Sequence, residues 1–591
     1  MESTTIATKP GALRAALNYE PLPLKFGTSG RRGDVVHLTQ LEIYINAVAE
    51  LEYLQSLPRE EGGITRGDEF FYASDLRPSS SHFDSHLGGR GEIAQAIERA
   101  IIDAGMRPVN LGRIPTPALT SYAIERNRGS IMVTGSHIPF ERNGYKVNTA
   151  RGELLKKDEA PVNRLVDEAR ARIYDQPAAK SLFNASGMFK TGHHKLPDPK
   201  TSGRRAYVQR YIDFFTGHSL KGKRLIAYEH SAVGRDILVE ILRKLGAEVI
   251  PTGRSETFVP IDTENIDDAQ LALMRQFVEK STAKHGPVDA LVSTDGDSDR
   301  PLIISVDNNL IDGQPRPHAR FFGGDLVGII TAEYLGADAV VVPISCNDAL
   351  DLGSLKEALE PKTRIGSPFV IAGMEKARAK GRSRICGWEA NGGFLTGSDI
   401  CRNQKTLKTL PTRDAMLPIL CVLFASVERG LSVSQLFALL PKRYSKAALL
   451  KNFPRATSLK IVSRFTPEEA RIRDLFFPTP EGRVDFFNED ARRLSASDAD
   501  TRLALNIREG LSKFFRQSDG FGPISRINYT DGVRIYFANN DVAHVRPSGN
   551  ADELRIYAIA DTQERADAIT RLGVAEPDGI LRSLARSLSP Y

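Results

Sequence analysis

The chain of 591 residues lacks any apolar run long enough to cross a membrane, and it lacks a dense block of lysine or arginine. The first absence argues against a membrane protein and the second against a nucleic-acid-binding protein. The N-terminus shows no signal-peptide core, so we expect a cytoplasmic protein. The 79 basic and 73 acidic residues leave a net charge of +6, a mild excess that fits a small anionic substrate.

Cysteine is scarce as well. The chain contains four cysteines, Cys346, Cys386, Cys401 and Cys421. No two of them have the C-x-x-C spacing of a metal or redox motif, so we expect reduced intracellular thiols. The length and the otherwise ordinary composition predict a globular protein of several domains.

The most informative stretch is the acidic turn at residues 294–300, TDGDSDR, which follows an apolar run at residues 290–293. Asp295, Asp297 and Asp299 alternate, so in an extended segment their side chains point the same way. Converging like charges need a cation between them, and Mg²⁺ accepts carboxylates while it shares phosphate oxygens. A solvated polar turn is the alternative. An EF-hand is disfavoured because Arg300 and Val306 replace its required Gly and Glu.

A second polar segment, the serine loop at residues 134–146, also follows an apolar run. Ser136, on a tight turn at a strand end, is a candidate nucleophile or phosphate carrier. His137 and Lys146 are candidate proton donors or phosphate clamps. The alternative is a polar turn with a capping serine. The nucleophile elbow G-x-S-x-G is not matched, which weakens the case for a hydrolase triad.

Three further loops carry polar groups. The glycine-rich loop at residues 26–33 contains Arg32 and presents backbone N–H groups and guanidinium forks to phosphate, although a simple glycine-rich turn is equally compatible. The sugar loop at residues 389–393 contains Glu389, a candidate acceptor for sugar hydroxyls, or else a turn glutamate. The C-terminal loop at residues 546–550 and the following strand predict a phosphate nest, or else a structural turn, formed by Arg546, Ser548, Gly549, Asn550 and Arg555.

Helix-periodic segments alternate with apolar strand candidates from residue 41 to about residue 394, with a predicted linker at residues 190–205. This alternation predicts parallel strands joined by helical crossovers, with ligands bound beyond the carboxyl ends of the strands. After Pro441 the pattern changes. Residues 490–515 predict a charged helix, and residues 526–537 predict a hairpin with Asp-Gly at its turn.

These loops, in this order, resemble the α-D-phosphohexomutase superfamily over residues 25–557. The motifs that agree are F-G-T-S-G-x-R-G, T-G-S-H-x-P, D-G-D-x-D-R and R-P-S-G. The resemblance implies an α/β protein in which three similar α/β domains with mixed sheets and a C-terminal α+β domain surround a central cleft. We expect these domains at residues 1–203, 204–318, 319–450 and 451–591.

The resemblance also implies residue roles. Ser136 would be the phosphoserine, and one of its phosphate oxygens would join Asp295, Asp297 and Asp299 as a ligand of Mg²⁺. The groups around the transferring phosphoryl would be Arg32, His137, Lys146 and Arg300, with His137 or Lys146 as the base. The substrate would bind Glu389, Asn391, Arg546, Ser548, Gly549, Asn550 and Arg555. Two positions depart from the usual pattern: Ile138 replaces an asparagine, and Pro301 follows the acidic turn.

The implied activity is interconversion of hexose 1-phosphate and hexose 6-phosphate through phosphoserine and a hexose 1,6-bisphosphate, which would also serve as activator. The expected partners are small hexose phosphates, without nucleic acid or membrane. The sugar loop E-A-N-G-G favours mannose, with phosphoglucomutase and phosphoglucosamine mutase activities as alternatives. From other classes, a non-catalytic sugar-phosphate-binding paralogue and a Mg²⁺-dependent phosphatase stay open.

Overall fold

A computed structural model describes residues 9–27, 29–264, 266–311, 314–478, 482–549 and 552–588. The chain forms two compact units. The first consists of Met1–Phe322 with Gly393–Ser434, and the second of Gly323–Gly392 with Gln435–Tyr591. Among the described residues, no helix is both long and apolar enough to cross a membrane. The four cysteines are free thiols.

The N-terminal sheet of the first unit is mixed. Its strand order is Lys25–Phe26, Arg31–Asp34, Arg142–Thr149, Ser130–Val133, Glu69–Ser74 and Arg107–Arg113, with Gly152–Glu153 beside Arg142–Thr149. Glu69–Ser74 runs parallel to both of its neighbours. Its apolar side chains pack with buried Leu, Ile and Ala side chains of the helices Gln40–Ser56 and Ile93–Asp103. The serine loop thus begins at a strand end in the middle of a sheet.

The next sheet of the first unit has the order Glu248–Arg254, Arg224–His230, Ala290–Thr294, Pro301–Ile311 and Gln314–Phe321. The first three strands are parallel, and the last two continue the sheet antiparallel. Ala290–Thr294 is completely buried, which explains its apolar beginning at residues 290–292. Pro301 is the first residue of its strand and lies opposite Thr294. A proline is acceptable at a strand start, so this departure from the family pattern leaves the acidic turn intact.

The remaining strands of the first unit form antiparallel pairs. They are Phe83–Asp84 with Arg90–Gly91, Phe394–Thr396 with Leu410–Asp414, and Ile400–Arg402 with Lys405–Leu407. The α-helices of this unit are Leu13–Ala16, Gln40–Ser56, Pro78–Ser81, Ile93–Asp103, Thr116–Ile124, Glu159–Tyr174, Ser202–Phe214, Arg235–Lys244, Asp268–His285 and Met416–Arg429. The short helix Val433–Phe437 spans the chain position where the units divide.

In the second unit, Ala339–Val341 pairs in parallel with Ile385–Trp388, the strand that leads to the sugar loop. The C-terminal sheet is antiparallel, with the order Tyr444–Leu450, Leu554–Ala560, Val542–Pro547, Val533–Phe537, Ile524–Asn528, Asp474–Phe476, Asp485–Phe487 and Arg493–Leu494. The α-helices of this unit are Gly324–Leu335, Ala349–Leu352, Ser367–Ala379, Arg455–Arg464, Asp498–Ser512, Gln563–Val574 and Ile580–Arg586. The strand Tyr444–Leu450 lies before the expected domain boundary at residue 450 yet pairs within this sheet.

The predicted fold class is confirmed: mixed α/β sheets precede an antiparallel C-terminal sheet with helices. Two local predictions were wrong. The linker at residues 190–205 is shorter than predicted, because the helix Ser202–Phe214 begins inside it and buries aromatic side chains at helical spacing. The charged helix begins at Asp498 rather than residue 490, because Ser497 and Asp500 form a capping box at its start.

His230 ends the strand Arg224–His230 and is fully buried. Its Nε2 lies 2.8 Å from the carbonyl oxygen of Thr294, the first residue of the acidic turn. Among the described residues, its Nδ1 has no hydrogen-bond partner. Burial lowers the pKa of His230 from its usual 6.5 to about 4, and the charge of Arg235 adds to this effect. The neutral ring, with Nε2–H donating, therefore holds the turn.

We predict an acid-sensitive contribution of His230 to stability. Because the folded pKa lies below the unfolded one, this contribution is fully present above pH 6.5 and is lost as the pH falls towards 4. The loss amounts to about 3 kcal/mol. His230→Gln keeps a donor for Thr294 without the titration, so its free energy of unfolding should fall less between pH 7 and pH 4 in urea denaturation. Identical pH profiles for the two proteins would contradict the prediction.

Candidate active site

Ser136 lies on the turn that follows the buried strand Ser130–Val133. Its backbone φ of +54° is in the left-handed region, which a serine adopts when its surroundings hold it there. The amide of Ser136 donates to Thr134 Oγ1 at 2.7 Å, and its hydroxyl donates to Asp295 Oδ2 at 2.9 Å. The turn therefore points the Ser136 hydroxyl at the acidic turn.

Two buried residues after the strand Glu69–Ser74 support the serine loop. Asp75 accepts hydrogen bonds from the Thr134 hydroxyl at 2.8 Å and from the Gly135 amide at 3.3 Å. Arg77 lies beside it, with its Nε 3.4 Å from Asp75 Oδ2. The Asp75 carboxylate thus orients Thr134, whose hydroxyl accepts the hydrogen bond from the Ser136 amide. Arg77 balances the buried charge of Asp75.

The guanidinium of Arg77 binds the backbone of the serine loop. It donates hydrogen bonds to the carbonyl oxygens of Ser136 (3.1 Å), Ile138, Pro139 (2.7 Å) and Arg142 (2.9 Å). A Cβ added at Gly135 would lie 2.6 Å from Arg77 Nε, so glycine is needed for this approach. Ile138 accepts a hydrogen bond from Arg77 through its backbone carbonyl group. Any residue provides this group, so the replacement of asparagine by isoleucine leaves the hydrogen bond in place.

Asp295, Asp297 and Asp299 are buried, and each offers a carboxylate oxygen within 4.8 Å of the others. The acidic turn approaches the serine loop closely. A Cβ added at Gly296 would lie 2.6 Å from the Ser136 carbonyl oxygen, which explains the glycine between the first two aspartates. The predicted convergence of the carboxylates is therefore present, together with the predicted proximity to Ser136.

One oxygen of Asp297 and one oxygen of Asp299 accept hydrogen bonds from protein donors. Asp297 Oδ2 accepts from the Thr116 hydroxyl at 2.5 Å and from Lys146 Nζ at 2.7 Å. Asp299 Oδ2 accepts from Lys146 Nζ at 2.7 Å and from Arg413 Nη2 at 2.9 Å. The Lys146 ammonium thus lies between two carboxylates and supplies part of the cationic charge that the cluster requires.

The remaining oxygens fit a divalent metal ion. Among the described residues, the buried Oδ1 atoms of Asp297 and Asp299 have no hydrogen-bond partner. Asp295 Oδ1 accepts from the backbone amides of Asp299 at 3.0 Å and Arg300 at 3.2 Å, whereas its Oδ2 faces the Ser136 hydroxyl. Buried carboxylate oxygens without donors are costly unless a cation binds them, and hard divalent cations prefer such ligands.

The electrostatics of the cluster are uneven. Burial, followed by repulsion from Asp299 and Asp297, holds the pKa of Asp295 well above its usual range. Burial also acts against ionisation of Asp297, but the charge and hydrogen bond of Lys146, the hydrogen bond from Thr116 and the charge of Arg413 together lower the pKa of Asp297. A bound divalent cation would remove the repulsion that Asp295 experiences.

Three more predicted residues surround the cluster. Arg300 places its Nε 3.7 Å from Asp299 Oδ1 and 3.9 Å from Asp295 Oδ2. His137 Nδ1 lies 3.4 Å from Ser136 Oγ. Arg32 is half-buried, and burial lowers its pKa to about 10. The structure therefore brings together Ser136, His137, Lys146 and Arg300 with the aspartates, and places Arg32 within their electrostatic influence.

In the second unit, Glu389 and Asn391 are buried in the sugar loop. The preceding Trp388 donates from its indole Nε1 to the carbonyl oxygen of Asp325 at 3.1 Å. A Cβ added at Gly328 would lie 2.3 Å from the Trp388 ring, so the helix Gly324–Leu335 packs on the indole through glycine. The only tryptophan thus supports the base of the loop by packing.

The C-terminal loop has a basic edge. Arg546 and Arg555 lie directly opposite each other on neighbouring strands, an arrangement in which like charges repel. Each has an acidic partner: Arg546 Nε lies 2.9 Å from Asp531 Oδ1, and Arg555 Nη2 lies 2.9 Å from Glu553 Oε2. Ser548 is buried and Gly549 exposed, whereas Asn550 lies outside the described residues. Two facing arginines suit a phosphate group.

Comparisons with known proteins give the family of this chain. Sequence models of phosphoglucomutase/phosphomannomutase α/β/α domain I, α/β/α domain III and the C-terminal domain match residues 23–172, 323–444 and 496–571. A phosphomannomutase of Salmonella muenchen is 36% identical over 547 residues, which cover 92% of this chain and 93% of that protein. A phosphomannomutase of Sinorhizobium fredii is 33% identical, covering 93% and 98%.

The chain belongs to the phosphoglucomutase/phosphomannomutase family. A solved family protein from Burkholderia thailandensis shares the fold, with a TM-score of 0.58 at 15% identity over 93% of this chain and 98% of that one. The resemblance drawn from the four motifs is confirmed, and the chain is a hexose-phosphate mutase, an isomerase that moves a phosphoryl group.

Motif analysis of this family member missed Arg77, Thr116 and Arg413. Arg77 follows the strand Glu69–Ser74, whose carboxyl end lies next to that of Ser130–Val133 in the parallel part of the sheet. This position was a signal that the sequence contained. Thr116 follows the parallel strand Arg107–Arg113 of the same sheet and carried the same positional signal. Arg413 carried no such signal, because its contact with Asp299 joins segments 114 residues apart.

We predict that Arg77→Lys destabilises this family member by about 3 kcal/mol, because one ammonium cannot serve several carbonyl groups and Asp75 keeps a poorly compensated buried charge. Amide hydrogen exchange in the serine loop should accelerate. Arg126→Lys is the matched control. Arg77 stacks on the ring of Phe258, and Arg126 likewise stacks on Tyr122 and donates to a carbonyl group, but Arg126 is exposed. Equal changes in urea denaturation for both variants would refute the supporting role of Arg77.

Proposed function

We propose that this mutase is a Mg²⁺-dependent phosphomannomutase that interconverts mannose 1-phosphate and mannose 6-phosphate. Ser136 would carry the phosphoryl group, and mannose 1,6-bisphosphate would be both intermediate and activator. The observation that carries the proposal is the placement of the Ser136 hydroxyl 2.9 Å from Asp295 within the buried aspartate cluster. A phosphate on this hydroxyl would complete the ligand set of Asp295, Asp297 and Asp299.

Phosphoryl transfer depends mainly on positioning and on charge neutralisation. Mg²⁺ bound by the three aspartates would neutralise the phosphoryl oxygens. Lys146 donates two hydrogen bonds to carboxylates, which suits charge balance better than proton acceptance. Arg300 and Arg32 add positive charge beside the cluster. His137, with its Nδ1 3.4 Å from Ser136 Oγ, is therefore our proposed acid and base at the reacting hydroxyl.

The second unit would recognise the substrate. Glu389 and Asn391 would bind sugar hydroxyls, because they lie in the loop beyond the carboxyl end of the parallel strand Ile385–Trp388, where ligands of α/β sheets gather. The non-reacting phosphate would bind at the C-terminal loop, where the facing arginines already lie close together. The residues of this phosphate site would be Arg546, Ser548, Gly549, Asn550 and Arg555.

One distal phosphate site would serve both orientations of the sugar, as interconversion of the 1- and 6-phosphates requires. We propose the same four-domain organisation as for the sequence, with boundaries near residues 203, 318 and 450. The strand Tyr444–Leu450 supports a somewhat earlier start of the fourth domain. A separate distal site also favours a mutase over a phosphatase, which needs to hold only one phosphate.

We predict that Ser136→Ala lowers mutase turnover at least about a thousandfold, since it removes the group that accepts the phosphoryl. The fold should persist, because Ser136 contributes its backbone amide and carbonyl to the loop. Intact-protein mass spectrometry should show a phosphate on the unsubstituted protein and none on the variant. Ser56→Ala, which removes a hydroxyl at the end of the helix Gln40–Ser56, is the control and should retain activity. Near-normal turnover of Ser136→Ala would exclude the phosphoserine mechanism.

For the sugar, we predict that kcat/KM for mannose 1-phosphate exceeds that for glucose 1-phosphate and glucosamine 1-phosphate at least about tenfold, because hydrogen bonds to hydroxyl groups discriminate strongly. The two relatives named phosphomannomutase support this choice. A coupled assay with all three substrates at equal metal concentration measures the ratio. Preference for glucose or glucosamine phosphate would identify the chain as a phosphoglucomutase or phosphoglucosamine mutase, and binding without turnover would identify a non-catalytic paralogue.

A further inference from the structure

Arg413 reaches the aspartate cluster from the strand Leu410–Asp414. Its Nε and Nη2 lie 3.1 Å and 2.9 Å from Asp299 Oδ2, the oxygen that Lys146 also binds. Its side chain passes directly over Gly393, where an added Cβ would lie 2.5 Å from Arg413 Cδ. The arginine therefore follows a path that its neighbours restrict, and it ends on a carboxylate of the metal site.

The residue next to Arg413 is anchored just as firmly. Successive side chains of a strand point to opposite sides, so Asp414 points away from Arg413. Its carboxylate accepts hydrogen bonds from the hydroxyl groups of Tyr207, at 2.6 Å, and Tyr211. All three residues are buried, and the two tyrosines lie one turn apart on the helix Ser202–Phe214. A buried carboxylate with two hydroxyl donors is a rigid anchor for the strand.

The anchored strand affects the orientation of the Asp299 carboxylate through Arg413. Donors on Asp299 Oδ2 leave Oδ1, which has no hydrogen-bond partner among the described residues, available to a cation. Residues that hold a ligand in this way commonly decide metal affinity. If the strand shifted, Arg413 would lose its contact and the Asp299 carboxylate could rotate away from the position that a metal ion needs.

We propose that Tyr207 and Tyr211, acting through Asp414, are positioning residues for the metal site: they fix the strand so that Arg413 orients Asp299. This inference rests on the divalent metal site of the proposed function. It predicts that two hydroxyl groups on a helix outside the cluster control metal affinity, although within the described part of the chain they donate to Asp414 and not to the acidic turn.

The test measures Mn²⁺ binding to the full metal-free chain by electron paramagnetic resonance, since Mn²⁺ occupies oxygen sites of this kind. The Tyr207→Phe/Tyr211→Phe double variant should raise the dissociation constant about tenfold to a hundredfold. Tyr174→Phe is the matched control. Its hydroxyl also donates to a buried carboxylate, Glu42, at 2.6 Å, and its removal should leave Mn²⁺ affinity unchanged. Circular dichroism verifies folding, and the single tyrosine variants replace the double variant if it does not fold.

A double-mutant cycle separates positioning from general destabilisation. In an Arg413→Ala background, the tyrosine substitutions should change the Mn²⁺ dissociation constant less than twofold, because the residue through which they act is absent. Multiplicative losses in the cycle, or tyrosine variants that bind Mn²⁺ like the unsubstituted chain, would overturn the proposal while leaving the metal site standing. An unsubstituted chain that fails to bind Mn²⁺ would instead overturn the metal site itself, and this proposal with it.

Discussion

Three buried carboxylates of the first unit repel one another, and cationic side chains must balance their charge for the unit to fold. Asp295, Asp297 and Asp299 are held together in a place where charge is poorly screened. Lys146 and Arg413 balance the charges of Asp297 and Asp299. Asp295 keeps a pKa far above its usual range, because burial and the charges of Asp299 and Asp297 oppose its ionisation. The cluster therefore fits a further cation, and the hydroxyl of Ser136 lies 2.9 Å from Asp295.

Close packing of backbone makes this arrangement possible. Glycines stand where two segments approach more closely than any side chain allows: Gly296 beneath the serine loop, Gly135 against Arg77, and Gly393 beneath Arg413. Arg77 then binds carbonyl groups of the serine loop, and Arg413 binds the carboxylate of Asp299. Two sheets with their strand ends at these loops provide a rigid base, so that the reactive groups need little rearrangement for phosphoryl transfer.

The second unit arranges its charged side chains differently from the first. Its sugar loop rests on a buried tryptophan, and its C-terminal loop begins on a strand where Arg546 faces Arg555. Each arginine has one carboxylate beside it, Asp531 or Glu553, which offsets the repulsion between the facing guanidinium groups. In the proposed function, substrate binding and phosphoryl transfer would be carried by separate sets of residues.

The amino-acid sequence by itself determined the strands Ser130–Val133 and Ala290–Thr294 through their apolar runs, and the motifs after them made Ser136 and the aspartates the candidate reactive groups. These features are local, so neighbouring residues suffice to define them. The tertiary structure alone decided which donors complete the cluster. Arg413 lies 114 residues from Asp299, and a strand and its anchoring helix bring the two together, a relation that no spacing in the sequence encodes.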